Sequence, residues 1–203
     1  MQISKLVLLS LILFLAVFSQ DITISKVEAV PSGANLTAHT SNWRAQVDAI
    51  GSKVSFGSAL VSKGLVEASF TMVKQSSVNE WPYVELMCGL GRAMSPQDTV
   101  TIEYRSDSHI LLKLVQSDLG DAGNETYAYY EYELPATGKK FKSATVVVSA
   151  FSQPAWAPEE AMFVPLRPEN VAEIQISPLL DEKTGGVATI AIQKLVVTDG
   201  PKE

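Results

Sequence analysis

In LVEASFTMV from Leu65, TVTIEYRS from Thr99, HILLKLVQ from His109, SATVVVSAF from Ser143 and VAEIQIS from Val171, apolar side chains recur at every second position. A period of two is the signature of a β-strand with one face buried. Turn-forming clusters separate the runs, at Pro31-Ser-Gly, Ser95-Pro-Gln-Asp, Asp121-Ala-Gly-Asn and Lys183-Thr-Gly-Gly. No segment keeps a helical period for three turns, so roughly ten short strands are expected. The economical way to bury them is an all-β fold, a two-sheet antiparallel β-sandwich or jelly roll.

Because successive strand residues point to opposite faces, the register assigns each side chain a side. Val100, Ile102 and Tyr104 should be inward, with Glu103 and Arg105 outward. Ile110, Leu112 and Leu114 should likewise be inward and Lys113 outward. Four of the six tyrosines crowd into TYAYYEYEL, residues 126–134. Taking Leu134 as inward puts Tyr132, Tyr130 and Ala128 in the core and Tyr127, Tyr129, Glu131 and Glu133 on the outside. Two exposed tyrosines on a sheet face suit a sugar platform, where the C–H side of a pyranose stacks on a ring and polar side chains take the hydroxyls. They are also simply good strand formers.

The amino terminus departs from this pattern. Lys5 precedes an apolar run from Leu6 to Phe18, and Ser19 follows with the spacing of a signal-peptidase site. The run is shorter than the roughly 20 residues a membrane-spanning helix needs. Residues 1–19 therefore read as a signal peptide and 20–203 as one exported domain, secreted or held at the cell surface, with no membrane span left after cleavage. No linker or repeat divides the remainder, and a monomer is expected.

A formal net charge of −6 and the absence of a basic stripe exclude a nucleic-acid partner. Cys88, alone in the chain, lies in VELMCGL and reads as a buried, inert thiol. Asn35-Leu-Thr and Asn124-Glu-Thr are glycosylation sequons that matter only in a glycosylating host. His39 and His109 are the only histidines, and without a G-x-S-x-G elbow they offer neither a hydrolytic triad nor a zinc site. Glu131 and Glu133 lie about 6–7 Å apart by strand rise, near the spacing of an inverting glycosidase pair. Such a pair must flank the scissile bond, which neighbours on one strand face do not do. Trp43 and Trp81 read as core or edge fillers. Trp156, between two prolines, reads either as packing over the core edge or as a loop-borne ligand contact. Gln116 and Asp118 read as turn caps or as acceptors for sugar hydroxyls.

The order of several stretches resembles the non-catalytic carbohydrate-binding modules with the galactose-binding-like jelly roll, especially the family-eleven type. These are Trp43-Arg-Ala-Gln-Val-Asp-Ala-Ile-Gly-Ser, Trp81-Pro-Tyr-Val-Glu-Leu, Val100-Thr-Ile-Glu-Tyr-Arg-Ser-Asp and Leu111-Leu-Lys-Leu-Val-Gln-Ser-Asp-Leu. Tyr132-Glu-Leu-Pro-Ala-Thr, Ala150-Phe-Ser-Gln-Pro-Ala-Trp and Asn170-Val-Ala-Glu-Ile-Gln-Ile complete the series, from about Trp43 to Val197. The resemblance implies a non-enzymatic protein that binds a plant cell-wall polysaccharide, a β-glucan or a related chain, on the concave outer face of one sheet. Tyr127, Tyr129, Glu131, Arg105 and Lys113 would hold the ligand, with Glu103 behind them and Trp156 on a neighbouring loop, and Tyr129→Ala would abolish binding. No cofactor is required. Relatives hold a structural calcium ion near both termini, but the start DITISKVEAV lacks their acidic segment and leaves only Asp21, Glu28, Asp48 and Asp199 as donors. An adhesive or structural protein that presents the same face to another protein is the rival reading, with a glycoside hydrolase third.

Overall fold

The computed structural model describes residues 27–119 and 127–201. Eleven strands, one four-residue α-helix and several single-turn 3-10 helices, among them Leu36–Ala38 capped by Asn35, are set out along them. The strands are β1 (Trp43–Val47), β2 (Lys53–Ser55), β3 (Val61–Ser62), β4 (Leu65–Met72), β5 (Val84–Gly89), β6 (Thr99–Ser106), β7 (Ile110–Gln116), β8 (Tyr130–Leu134), β9 (Lys142–Val147), β10 (Val171–Pro178) and β11 (Gly186–Thr198), with α1 (Glu159–Met162) before β10. One sheet has the order β1-β5-β10-β7-β8 and the other β2-β4-β11-β6-β9, with β3 paired to β4. Every described pairing is antiparallel. The all-β sandwich expected from the alternation is the fold found.

The core lies between the sheets and follows the expected parity on β6 and β7. Val100, Ile102 and Tyr104 share with Ile110, Leu112 and Leu114 an apolar interior that also holds Phe70, Leu86, Ile174, Ile176, Ile190 and Ile192. Tyr104 keeps its hydroxyl satisfied by donating to Pro135 O at 2.6 Å, which is what lets a tyrosine serve as core. Trp43 is also core, its indole N–H donating to Leu36 O at 3.0 Å. Cys88 is fully buried, and that burial pushes its thiol well above the ordinary range. It remains an uncharged packing group, as expected.

Local chemistry shapes the connections. β3 and β4 are joined by Lys63 and Gly64, both in the left-handed region at φ 53° and 75°, the geometry of a two-residue type I′ hairpin. β11 bulges between Ile192 and Lys194. Asn35 closes the gap in the ladder: its Nδ2 donates to Gln193 O at 3.2 Å and its Oδ1 accepts from Leu195 N–H at 3.0 Å. The same Oδ1 accepts from Thr37 N–H, and the Thr37 hydroxyl donates to Gln193 O. The sequence Asn35-Leu-Thr is thus a clasp over a bulge, and its carboxamide is committed at both ends. Asn35→Ala is expected to cost about 1–3 kcal/mol by stranding the bulge amide and removing a helix cap, read as a lower urea midpoint at unchanged slope. The second sequon, at Asn124, lies outside the described residues, as does the expected signal peptide.

Candidate functional site

The site is built from the residues that the five-stranded sheet turns away from the core. Alternation along β1 sends Trp43, Ala45 and Val47 inward and Arg44 and Gln46 outward. The register carries the outward set across the sheet in two rows. One runs from Gln46 to Glu85, then Ser177, Leu111 and Glu133; the other from Arg44 to Met87, Gln175, Lys113 and Glu131. Four inter-strand spacings make the floor about 19 Å wide. Its centre is recessed: Glu85, Met87, Gln175 and Ser177 are buried although they face out, while the flanking Arg44, Gln46 and Glu133 are exposed.

The floor is charged and internally paired. Arg44 reaches diagonally over β5 and grips Glu173 with two parallel bonds, both 2.7 Å, a bidentate geometry that fixes both side chains. Burial pushes the Glu85 carboxyl above the usual carboxylate range, against the downward pull of Lys113 and Arg44 and a hydrogen bond from Ser177, with Glu173 adding to the rise. Burial also raises Glu131, opposed by Lys113 and assisted by Glu133. Lys113 is therefore the cation shared by two desolvated carboxylates. With their folded values raised, the native chain holds more protons than the unfolded chain just above the ordinary carboxylate range, so this part of stability falls as pH rises through that window. Glu85→Gln is expected to melt higher than the parent at about pH 7 and to lose that advantage at about pH 4.

A tyrosine stands toward each end of the floor. Tyr83 continues the outward parity of Glu85 and accepts from Gln46 Nε2 at 3.1 Å, and Trp81, two residues before it, is 70% exposed. At the opposite end, beyond Lys113 on β7, Val115 supports a loop layer with its own small core of Leu119, Ala128, Tyr129 and Ala161, packed with Ala157 and Val164. Buried Gln116 ties this layer down, its Nε2 donating to Pro165 O and its Oε1 accepting from Arg167 N–H. Asp118 pairs with Arg167 and accepts from Asn170 Nδ2 at 2.7 Å. Both residues thus brace loops, the capping alternative of the two expected for them. Tyr127, edge-on to Tyr129 of the layer, is 56% exposed, and Trp156, next in sequence to Ala157, is 61% exposed.

The structure brings together only some of the residues expected to act as one site. Lys113 and Glu131 are cross-strand partners on the floor. Arg105 and Glu103 lie on β6, on the outer face of the other sheet, with the whole core between them and Lys113. There Arg105 donates to Glu67 Oε1 at 2.6 Å and sits over the Phe141 ring. Tyr129 is buried at 7% exposure rather than facing out. The cause is a tight turn in which Tyr129 N–H donates to Tyr127 O at 2.8 Å; alternation begins only at Tyr130, where β8 starts. Tyr132 keeps the inward parity, opposite Leu112, but remains partly exposed against Phe151 because β8 is the last strand of its sheet. Trp81, expected as a core or edge filler, is 70% exposed, and Trp156 is 61% exposed.

Sequence reasoning passed over Arg44, Gln46, Glu85, Glu173, Gln175 and Ser177. Their signal was present: WRAQV and VAEIQIS alternate as cleanly as any strand in the chain.

The donors named for calcium do not converge. Glu28 pairs with His39 at 3.2 Å, and Asp48 accepts from the backbone of Ile50 and Tyr83. Asp199 pairs with Arg92, which also holds Asp98 at 3.0 Å. Asp21 lies outside the described residues, among which no group of three or more His, Cys, Asp or Glu side chains could hold a metal ion. No described helix is long and apolar enough to cross a membrane.

No protein-family model matches the chain, and no curated protein matches it in sequence. Among solved structures it is similar to the family 11 carbohydrate-binding module from Clostridium thermocellum in complex with a beta-1,3-1,4-mixed-linked tetrasaccharide, at 15% identity and a TM-score of 0.56, over 80% of this chain and 91% of that one. It is similar also to the family 11 module of the cellulosomal cellulase Lic26A-Cel5E of Clostridium thermocellum, at 16% identity and a TM-score of 0.56, over 80% of this chain and 90% of that one. At these identities the likeness is one of fold, the jelly roll that the order of strand motifs resembles.

Proposed function

We propose that this protein is exported and binds a polysaccharide, a plant cell-wall β-glucan or a related chain, across the outer face of its five-stranded sheet without cleaving it. The observation that carries the reading is the recessed polar floor of Arg44, Glu85, Glu173, Gln175, Lys113 and Glu131, with Tyr83 beyond one end and Tyr127 on the loop layer at the other, and with exposed Trp81 and Trp156 near these ends in sequence. Fixed donors and acceptors take the hydroxyl groups of successive sugars, and the rings at the ends stack on their C–H faces. A floor about 19 Å across is long enough for several sugar units. The complex of a similarly folded module with a mixed-linked tetrasaccharide and the apolar run from Leu6 to Phe18 support the ligand class and the export.

The carboxylates argue against hydrolysis. Glu85 and Glu131 stand three strand spacings and one row apart, about 16 Å between backbones, beyond the roughly 5–9.5 Å of retaining and inverting pairs. Glu131 and Glu133 lie on one face of one strand and would approach a sugar from the same side. The test is electrophoresis of the mature protein through gels containing mixed-linkage glucan, xyloglucan, xylan, mannan or no polysaccharide, with an assay for released reducing sugar. Retardation in at least one gel without sugar release is expected. Free migration in all of them would move the function to a protein partner, which exposed Met162 and Phe163 would suit.

A further inference from the structure

The run Tyr127-Ala-Tyr129 holds two rings in unlike settings on the same loop layer. Tyr129 N–H donates to Tyr127 O at 2.8 Å, closing a three-residue turn around Ala128, which is wholly buried. The turn sets the rings edge to face, with centroids 6.2 Å apart and planes at 86°. Tyr129 is sunk among Leu119, Ala128 and Ala161, while Tyr127 is exposed. The layer beneath is braced by Gln153 Nε2, which donates to the carbonyls of Ala161 and Val164, and by the Tyr130 hydroxyl, which donates to Val164 O at 3.3 Å.

Resting on the carbohydrate-binding reading above, we propose that Tyr127 is the ring that stacks on a pyranose at the β7–β8 end of the floor. Tyr129 is the positioning residue that holds this ring ready. An exposed tyrosine on an unsupported loop would lose side-chain freedom on stacking, and that loss subtracts from affinity. Here the freedom is already spent in folding, because an edge-to-face partner anchored in a small core restricts the Tyr127 ring before any ligand arrives. Val115, which underlies the layer, is the next outward residue after Lys113 on β7, one strand repeat or roughly 7 Å along. The ring therefore serves a sugar adjoining the one that Lys113 contacts. A buried tyrosine next to an exposed one follows from this division of labour, whereas two independent platform rings would both face out.

The experiment is isothermal titration of soluble mixed-linkage β-glucan into the mature protein and five variants. Tyr127→Ala and Tyr129→Leu are each expected to weaken binding about tenfold, the worth of one oriented aromatic contact. The double variant should be no weaker than either single one, because Tyr129 acts through Tyr127. Tyr129→Phe, which keeps the ring, should restore affinity and the near-ultraviolet circular dichroism of the tyrosine pair that Tyr129→Leu removes. Additive losses in the double variant would make Tyr129 an ordinary structural residue and overturn the proposal. Wild-type affinity in Tyr127→Ala would also overturn it, and if Lys113→Met still lost binding, the floor would stand without this rim. Absence of binding by the parent protein would remove both.

Discussion

Lys113→Met is expected to lower polysaccharide affinity about a hundredfold, on the scale of a hot-spot residue. Lys113 stands on β7, one strand in from the β8 edge of the floor, paired across the ladders with Gln175 on one side and Glu131 on the other. Methionine keeps the apolar stem and deletes only the ammonium, so packing is nearly conserved and the loss reads the charge. Removing it takes three hydrogen-bond donors from the ligand and the shared counter-charge from Glu85 and Glu131, both already raised by burial. Those carboxyls should rise further. The variant should consequently be less stable than the parent at about pH 7, with the deficit shrinking as acid protonates both groups, since uncharged carboxyls no longer need the cation. A stability deficit that grows on acidification would contradict this assignment. Titration calorimetry and melts at two pH values measure the two effects separately.

Phe70→Ala is the expected extreme on the stability side. Phe70 is fully buried on β4, between Val54 of β2 and Ala188 of β11 in the ladder, and belongs to the core that joins the two sheets. Deleting a buried phenyl ring costs about 3–5 kcal/mol, because the surroundings close only part of the cavity. For a chain of this size that is roughly 6–20 °C in melting temperature. Trp81→Ala, which removes a larger but exposed ring, should leave the melt within about 0.5 kcal/mol of the parent. The contrast places folding stability between the sheets and leaves the aromatic ends of the floor free for another task.

How far the sequence reached is clearest at β6 and β7. The inward and outward positions of both strands follow from alternation alone, since polar groups at the outward sites stay wet and apolar ones pack. Alternation does not say which strands share a sheet. Only residues 107–109 separate β6 from β7, a length that suits a hairpin. Yet the chain there crosses between sheets: Asp107 Oδ1 accepts from Thr189 N–H on β11, and His109 O accepts from Leu179 N–H after β10. Arg105 and Lys113, both correctly outward, thereby end on opposite sides of the sandwich. Arg44 and Gln175 illustrate the converse. Each alternates legibly, but they become neighbours across β5 through pairings between residues far apart in the chain, and only the assembled sheet order shows it. Tyr129 failed for a local reason, because a turn hydrogen bond at Ala128 replaced the extended backbone that parity assumes.

The central claim is that the ligand lies on the outer face of the five-stranded sheet. It is tested most directly by mapping backbone and side-chain amide shifts of the labelled mature protein during titration with a mixed-linkage oligosaccharide. Progressive shifts concentrated at Arg44, Gln175, Lys113 and Glu131, with the Thr101, Glu103 and Arg105 amides still, are the predicted result. Shifts concentrated instead on β6 and β9, the opposite face, would contradict the account.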